Sequence, residues 1–437
     1  MESIKDFTGQ KRIAFYTLGC KLNFAESATI FRQLTDKGYK KVAFDAEADY
    51  YVINTCSVTQ TADKKCRNAI KKAASNGGKI IVMGCYSQLK PEEIAKIEGV
   101  DLILGTKDKY KLSEYIECLD HNENIMIQTC DVHSIDQFDG AFSTNDRTRA
   151  FLKIQDGCDY FCSYCTVPLA RGKSRNEDIN SILNKANIIA QKGIKEIVLT
   201  GVNIGDFGKS TGESFRDLIQ ELDRIDGPDR IRISSIEPNL LSDEIIYFIA
   251  NSNRIVPHFH IPLQSGSNKI LGLMGRRYKR ELFEQRVTKI NELLPDACIG
   301  ADVIVGFPGE SEKDFNDTYQ FLQKLKISYL HIFPFSERPN TKALELRDKV
   351  EPTEKAKRAR SLIALSQEKR ILFYEQNLGK EADVLFEFNI IKGKMAGFSN
   401  NYIKAEIPAS KELIGKIKRV RFENILDNGN MSVSLIN

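Results

Sequence analysis

GCDYFCSYC, residues 157–165, places Cys158, Cys162 and Cys165 in the spacing CxxxCxxC, with the aromatic Tyr164 before the last. Three thiolates can hold three irons of a cubane 4Fe–4S cluster and leave the fourth iron open to a small ligand. A structural zinc site usually wants four protein ligands, and CxxxC is an awkward spacing for a zinc knuckle. Zinc would have to borrow a remote histidine or cysteine, and an inert buried trio is the other alternative. Immediately upstream, AFLKIQ (150–155) reads as a strand. The triplet therefore follows a strand end, where parallel α/β sheets place their active sites.

Working outward, the middle of the chain repeats strand and helix regularly. EIVLTG, RIRISSI, HFHIPL, GADVIVG and YLHIFPF follow AFLKIQ as strand candidates. One intervening helix carries Ile179, Ile182, Leu183, Ala186 and Ile189 on a face, with Glu177 and Asp178 at its start, where the helix dipole favours acids. Another carries Phe215, Leu218, Ile219, Leu222 and Ile225. Six βα units predict a partial TIM-type (β/α)6 barrel. Ser311 and Asp314 predict a helix cap.

The first third also alternates. RIAFYTLG, DYYVINT, KIIVMG, LILG and NIMIQT read as strands, FAESATIFRQLTDKG and QTADKKCRNAIKKAASNGG as helices ending at glycine. This pattern predicts a flavodoxin-like parallel sheet. Three of its strands run directly into cysteine: TLGC at Cys20, INTC at Cys56 and MGC at Cys85. Parallel strands share one C-terminal edge, so these thiols should converge on a second three-thiolate site. The alternative is three small buried residues, since free cysteine is commonly buried.

Residues 130–149 are rich in Asp, Ser, Thr and Gly and read as a linker. After YLHIFPF, a long basic helix including KAKRARS leads to a segment of period two from about Gly379, which predicts a small β barrel. The chain has 437 residues, 42% hydrophobic and 28% charged, with net charge +4. That suits a soluble protein of two or three domains, permits a nucleic-acid partner and does not require one. No apolar run is long enough to span a membrane, and no export signal is evident, so the expected location is cytoplasmic. Ten cysteines in such a chain argue for metal ligands rather than disulfides. Cys66, Cys118 and Cys298 are expected to pack in the core, and Cys130 is not expected to be a ligand.

The CxxxCxxC stretch with Tyr164 resembles radical S-adenosylmethionine (SAM) enzymes. With GCKLN at Cys20, NTC at Cys56 and GCYSQ at Cys85, the whole chain resembles their methylthiotransferase branch. Gly19, Cys20, Lys21, Leu22 and Asn23 resemble the group acting on N6-threonylcarbamoyladenosine in tRNA. The isopentenyladenosine group typically has GCQMN there, and the ribosomal-protein group GCxKN. GFSNNYIKAEI near the C-terminus resembles a TRAM domain, an RNA-holding β barrel.

The resemblance implies two 4Fe–4S clusters, one on Cys158, Cys162 and Cys165 and one on Cys20, Cys56 and Cys85. The first would cleave SAM reductively to a 5′-deoxyadenosyl radical that removes hydrogen from carbon 2 of the adenine. The second would supply sulfur, which another SAM methylates. Tyr164, Gly201, Asn203, Glu237, Gln264 and Gly306 would line the SAM pocket. For Gly306 a tight βα turn, and for Glu237 a salt-bridged acid, stand as alternatives. An exposed Phe398 and Tyr402 would stack on bases, while Lys404, Lys418, Arg419 and Arg421 would meet phosphates. A solvated charged face explains KIKRVRFE equally well. The implied partners are tRNA, an electron donor such as flavodoxin or ferredoxin, and a sulfur donor. The expected division is 1–135 for the N-terminal domain, 145–370 for the radical SAM core and 371–437 for the TRAM-like domain. Methylthiolation of isopentenyladenosine or of a ribosomal protein, and a non-catalytic RNA-binding iron–sulfur protein, are the rival readings.

Overall fold

Five short apolar runs of the first third and one further short strand form one parallel sheet in the computed structural model, which describes residues 10–122, 124–144 and 147–436. The strands are β1 (Arg12–Thr17), β2 (Lys40–Val42), β3 (Tyr50–Thr55), β4 (Lys79–Gly84), β5 (Val100–Leu104) and β6 (Met126–Gln128), in the order β2-β1-β3-β4-β5-β6. This is the doubly wound, flavodoxin-like order. Period-two alternation divides its core between two faces. Tyr51, Ile53, Ile80 and Val82 pack with helix Gln60–Ala74 on one side. Tyr50, Val52, Ile81 and Met83 pack with Lys21–Asp36 and Leu112–Leu119 on the other. Each fully buried aliphatic side chain contributes roughly 1.5–3 kcal/mol. All six residues of β3 are buried. The sequence reading had no β2, because Lys40–Val42 is three residues long and mostly charged.

The supposed linker is partly packed. Val132 and Ile135 are buried, and Ala141–Phe142 forms a short strand, β7. The Phe142 N–H donates to Thr29 Oγ1 at 2.9 Å, and Arg32 lies 4.0 Å from the centre of its ring. A few apolar residues outweigh the polar composition. These elements form one compact unit, residues 10–143 with Gly157–Asp159 and Cys165–Lys173.

The second unit comprises the described residues of Thr144–Asp156, Tyr160–Tyr164 and Ser174–Asn437. Its parallel strands are β8 (Ala150–Lys153), β9 (Glu196–Thr200), β10 (Arg230–Ile233), β11 (His258–His260), β12 (Cys298–Val305) and β13 (Tyr329–Pro334). They pair as β10-β9-β8 and β11-β12-β13, with single parallel bridges Ile231↔Ile255 and Ser235↔His260 spanning the join. This is the expected partial (β/α)6 barrel. Its helices start where the sequence places caps. Asp178 accepts the Ser181 N–H at 2.9 Å, and Ser311 and Asp314 form a reciprocal capping box.

Helix Pro352–Glu375 leads into β14 (Glu381–Ile391), β15 (Lys394–Ser399), β16 (Lys404–Pro408), β17 (Ile417–Ile425) and β18 (Met431–Leu435). They close into a barrel, β14-β15-β16-β18-β17, around Val384, Phe386, Met395, Val420 and Phe422. This barrel is seated on β9 and β10 by arginines. Arg232 pairs with the fully buried Glu196 at 2.7 Å, and Arg230 reaches the Asp383 carbonyl at 2.6 Å. Burial pushes the Glu196 carboxyl up, but Arg232, Arg149 and Arg230 together hold it below its ordinary value.

Among the described residues, no helix is long and apolar enough to cross a membrane.

Candidate active site

Cys20, Cys56 and Cys85 follow β1, β3 and β4, three neighbours in the first sheet, so the topology brings their turns to one edge. Gly19 has φ +99°, and a Cβ there would lie 2.6 Å from Cys56 Cβ and 2.9 Å from its sulfur. The turn before Cys20 thus passes directly over Cys56, and only glycine fits. Cys20 is exposed to solvent, and the Arg171 guanidinium favours its thiolate. Burial and the neighbouring Cys85 push Cys56 up to about 12. A neutral Cys56 thiol is favoured here unless positive charge is added, which is what a metal centre supplies.

A buried charge network stands beside these cysteines. Glu26 is fully buried and pairs with Lys109 Nζ at 2.7 Å and Arg171 Nη1 at 2.9 Å. Arg171 also donates to Asn23 Oδ1 at 2.8 Å. Two cations against one carboxylate leave a net positive charge near the thiols. The sequence reading missed Arg171 and Lys109, since neither belongs to a cysteine turn.

The CxxxCxxC loop follows β8. Gly157 has φ +70°, and a Cβ there would meet the Lys173 carbonyl oxygen at 1.9 Å; the Cys158 N–H donates to the Gly172 carbonyl at 3.1 Å. Cys162 is buried, while Cys158 and Cys165 are partly accessible. Burial pushes the Cys162 thiol up and Arg276 opposes it. Arg276 Nη1 donates to Cys162 Sγ at 3.2 Å, and the same guanidinium forms an ion pair with Glu237. Arg276 had no signal in the sequence, because it lies far downstream in LGLMGRRY.

The residues expected to line a SAM pocket are distributed as follows. Tyr164 packs edge-on to Phe307 at 6.2 Å. Gln155 Oε1 accepts the N–H groups of Val202 and Asn203 at 3.0 and 2.8 Å, shaping the loop that contains Gly201. Asn203 donates to Asp206 at 2.9 Å. Gln264 adopts φ +68° and donates its N–H to the Asp302 carbonyl at 2.8 Å. Gly306 sits in a tight turn with φ +71°, against Lys355, and its N–H donates to Glu310 at 2.6 Å.

Two expectations need correction. Phe398 and Tyr402 are half-buried rather than exposed. They stack on each other at 4.8 Å, Tyr402 stacks on His258 at 4.3 Å, and Arg149 and Arg232 lie over the two rings. Arg358, in the basic helix, is buried and pairs with Glu310 at 2.6 Å. Cys118 is exposed on its helix, whereas Cys66 and Cys298 are buried as expected. Lys404 lies half-buried beside the aromatic stack, Lys418 is exposed, and Arg419 and Arg421 both pair with Glu381. None of the ten cysteines forms a disulfide.

Comparison with known proteins agrees with this architecture. Residues 12–105 match the family described as Uncharacterized protein family UPF0004, and residues 152–322 match the Radical SAM superfamily. The chain is 40% identical to the Threonylcarbamoyladenosine tRNA methylthiotransferase MtaB of Bacillus subtilis, over 94% of this chain and 93% of that one. It is 42% identical to the protein of the same name from Aquifex aeolicus, over 94% and 99%. The tRNA-2-methylthio-N(6)-dimethylallyladenosine synthase of Acetivibrio thermocellus is 33% identical over 96% and 90%. Among solved structures, the radical S-adenosylmethionine methyltransferase TsrM of Kitasatospora setae superposes with a TM-score of 0.57 at 14% identity, covering 89% of this chain and 80% of its own. That likeness concerns the fold alone. The chain belongs to the radical SAM superfamily, and within it to the tRNA methylthiotransferase family.

Proposed function

We propose that this enzyme converts N6-threonylcarbamoyladenosine beside the tRNA anticodon to its 2-methylthio derivative. The observation that carries the reading is 36–42% identity, across nearly the whole chain, to three proteins named for that activity. Lys21 in GCKLN supports the same choice against the isopentenyl group.

The donor sets fit two iron–sulfur clusters: Cys158, Cys162 and Cys165 for one, Cys20, Cys56 and Cys85 for the auxiliary one. With SAM, these groups supply one-electron bond cleavage, hydrogen removal and sulfur, chemistry that side chains cannot perform. The chain's own work is positioning. Arg276 holds a cation against the Cys162 sulfur and ties it to Glu237. Gln155 fixes the Gly201–Asn203 loop by accepting two of its N–H groups, and that loop, Tyr164, Glu237, Gln264 and Gly306 form the SAM pocket. Arg171 and Lys109 offset the negative charge of the auxiliary thiolates.

The closed C-terminal barrel acts as a TRAM-like RNA-binding domain, 371–437, after an N-terminal domain, 1–135, and a radical SAM core, 145–370. Lys404, Lys418, Arg419 and Arg421 offer charge to RNA phosphates. A low-potential donor such as flavodoxin or ferredoxin provides electrons, a separate donor restores sulfur, and the reaction runs in the cytoplasm. The test is mass spectrometry of nucleosides from tRNA lacking methylthiolation, after anaerobic reaction with reconstituted enzyme, SAM, sulfide and reductant. Methylthio mass on threonylcarbamoyladenosine alone is expected. The same mass on isopentenyladenosine would overturn the substrate reading.

A further inference from the structure

Adjacent strands β11, β12 and β13 each contribute one metal-ligating side chain to a single point: His260, Asp302 and His331. Their ligand atoms all lie within 4.8 Å of one another. His260 Nε2 is 2.9 Å, and His331 Nδ1 3.3 Å, from the same Asp302 oxygen. Ligands about 2.0–2.2 Å from a common ion, at angles between octahedral and tetrahedral, stand roughly 2.8–3.6 Å apart. Both histidine-to-Asp302 separations fall in that range. Ala301 and Val303, flanking Asp302, are fully buried, while Asp302 and the 55% exposed His331 keep access to solvent.

Three further features fit a built site. His260 Nδ1 lies 3.1 Å from the Tyr329 hydroxyl, which also meets His258 Nε2 at 3.0 Å. A partner on the second ring nitrogen is what fixes the orientation and tautomer of a ligating imidazole. The backbone of Asp302 is held by the Gln264 N–H at 2.8 Å. His331 also lines a groove of 710 Å³, together with Tyr329, Arg370, Tyr402 and Lys404.

We propose that His260 Nε2, Asp302 and His331 Nδ1 bind a divalent transition-metal ion of the zinc class, whose open positions face this groove and accept a carboxylate oxygen of the substrate. Two imidazoles and one carboxylate suit such metals, and three protein ligands leave room for an exogenous one. A dication with one aspartate keeps net charge +1, which attracts an anion. The carboxylate assignment rests on the proposed substrate: a threonylcarbamoyl group carries one, and an isopentenyl group carries none.

The test uses the full chain with its clusters reconstituted anaerobically, stripped with a chelator and dialysed against Zn²⁺. One zinc per chain is expected, with a nitrogen and oxygen shell at about 2.0–2.1 Å and no sulfur near 2.3 Å by X-ray absorption. His331→Ala, at an exposed position, should weaken zinc at least about 10-fold without altering iron content. Zinc on sulfur only, or affinity unchanged in His331→Ala, overturns the site. In binding assays, zinc should tighten an anticodon stem-loop carrying threonylcarbamoyladenosine and leave its methyl ester unchanged. If acid and ester respond alike, the carboxylate role falls. Failure of the substrate reading would appear separately, as methylthio transfer to isopentenyladenosine with the zinc results intact.

Discussion

Cys20, Cys56 and Cys85 lie in three different βα turns, and only the order β1-β3-β4 brings them together. Cys158, Cys162 and Cys165 share one loop, and their proximity is written into nine consecutive residues. The electrostatics differ too. The first trio sits beside a surplus of buried positive charge, from Arg171 and Lys109 against Glu26. In the second, Cys162 meets a single guanidinium already tied to Glu237. The first site is a product of the whole sheet, whereas the second is a product of a local loop and one distant arginine.

The largest effects should separate these two sites by function. Cys162→Ala should abolish SAM cleavage and lower iron from about 8 to about 4 atoms per chain. Cys85→Ala should lower iron equally but retain SAM cleavage without methylthio product. Iron analysis and assay of 5′-deoxyadenosine check both. SAM cleavage lost in Cys85→Ala would mean that the two sites are not separable.

Next comes the charge difference. Arg171→Met leaves Glu26 paired with Lys109, so it should cost about 1–3 kcal/mol, less than breaking an isolated buried pair. Removing the cation beside Cys20 disfavours its thiolate, and iron at the first site should fall with stability. An Arg276→Met variant should instead reduce SAM cleavage and leave the first site's iron in place. Urea midpoints and iron content distinguish the two.

This contrast also explains what the sequence made legible. Both cysteine trios were readable, one from spacing and the other because strand ends in a parallel sheet share an edge. Their charged partners were not. Arg171 and Arg276 act through contacts with Glu26 and Glu237, and no local spacing encodes them. Nor does composition report depth. In KAKRARS, Arg358 is buried against Glu310 while Lys357 is exposed. Phe398 and Tyr402 look like exposed stacking groups, yet Arg149 and Arg232 cover them. The stretch 130–149 looks like a linker because polar residues outnumber Val132, Ile135, Ala141 and Phe142, which pack it down.

A smaller perturbation probes the first site's dependence on backbone alone. Gly19→Ala adds one methyl group at φ +99°, 2.6 Å from Cys56 Cβ. A non-glycine residue held there should cost on the order of 1–3 kcal/mol. It should accelerate loss of the first site's iron on dilution, while SAM cleavage stays intact. The glycine of the loop site, Gly157, should show the opposite pattern when changed to alanine, since its Cβ would strike the Lys173 carbonyl.

The smallest effects concern cysteines outside both trios. Cys66 is fully buried, donates to the Cys56 carbonyl at 3.5 Å, and has its thiol pushed up to about 12 by burial. Its position invites a ligand role, but its hydrogen bond runs to backbone and its neighbours are Ile70, Ala73 and Tyr86 of the sheet core. Cys66→Ala should therefore cost roughly 1 kcal/mol, as removal of a small core group does. Iron content should not change, because packing rather than ligation is lost. Cys118→Ser, at an exposed helix position, should lie within about 0.5 kcal/mol of the parent. If Cys66→Ala lowered iron as Cys85→Ala does, the first site would hold four thiolates and lose its open iron.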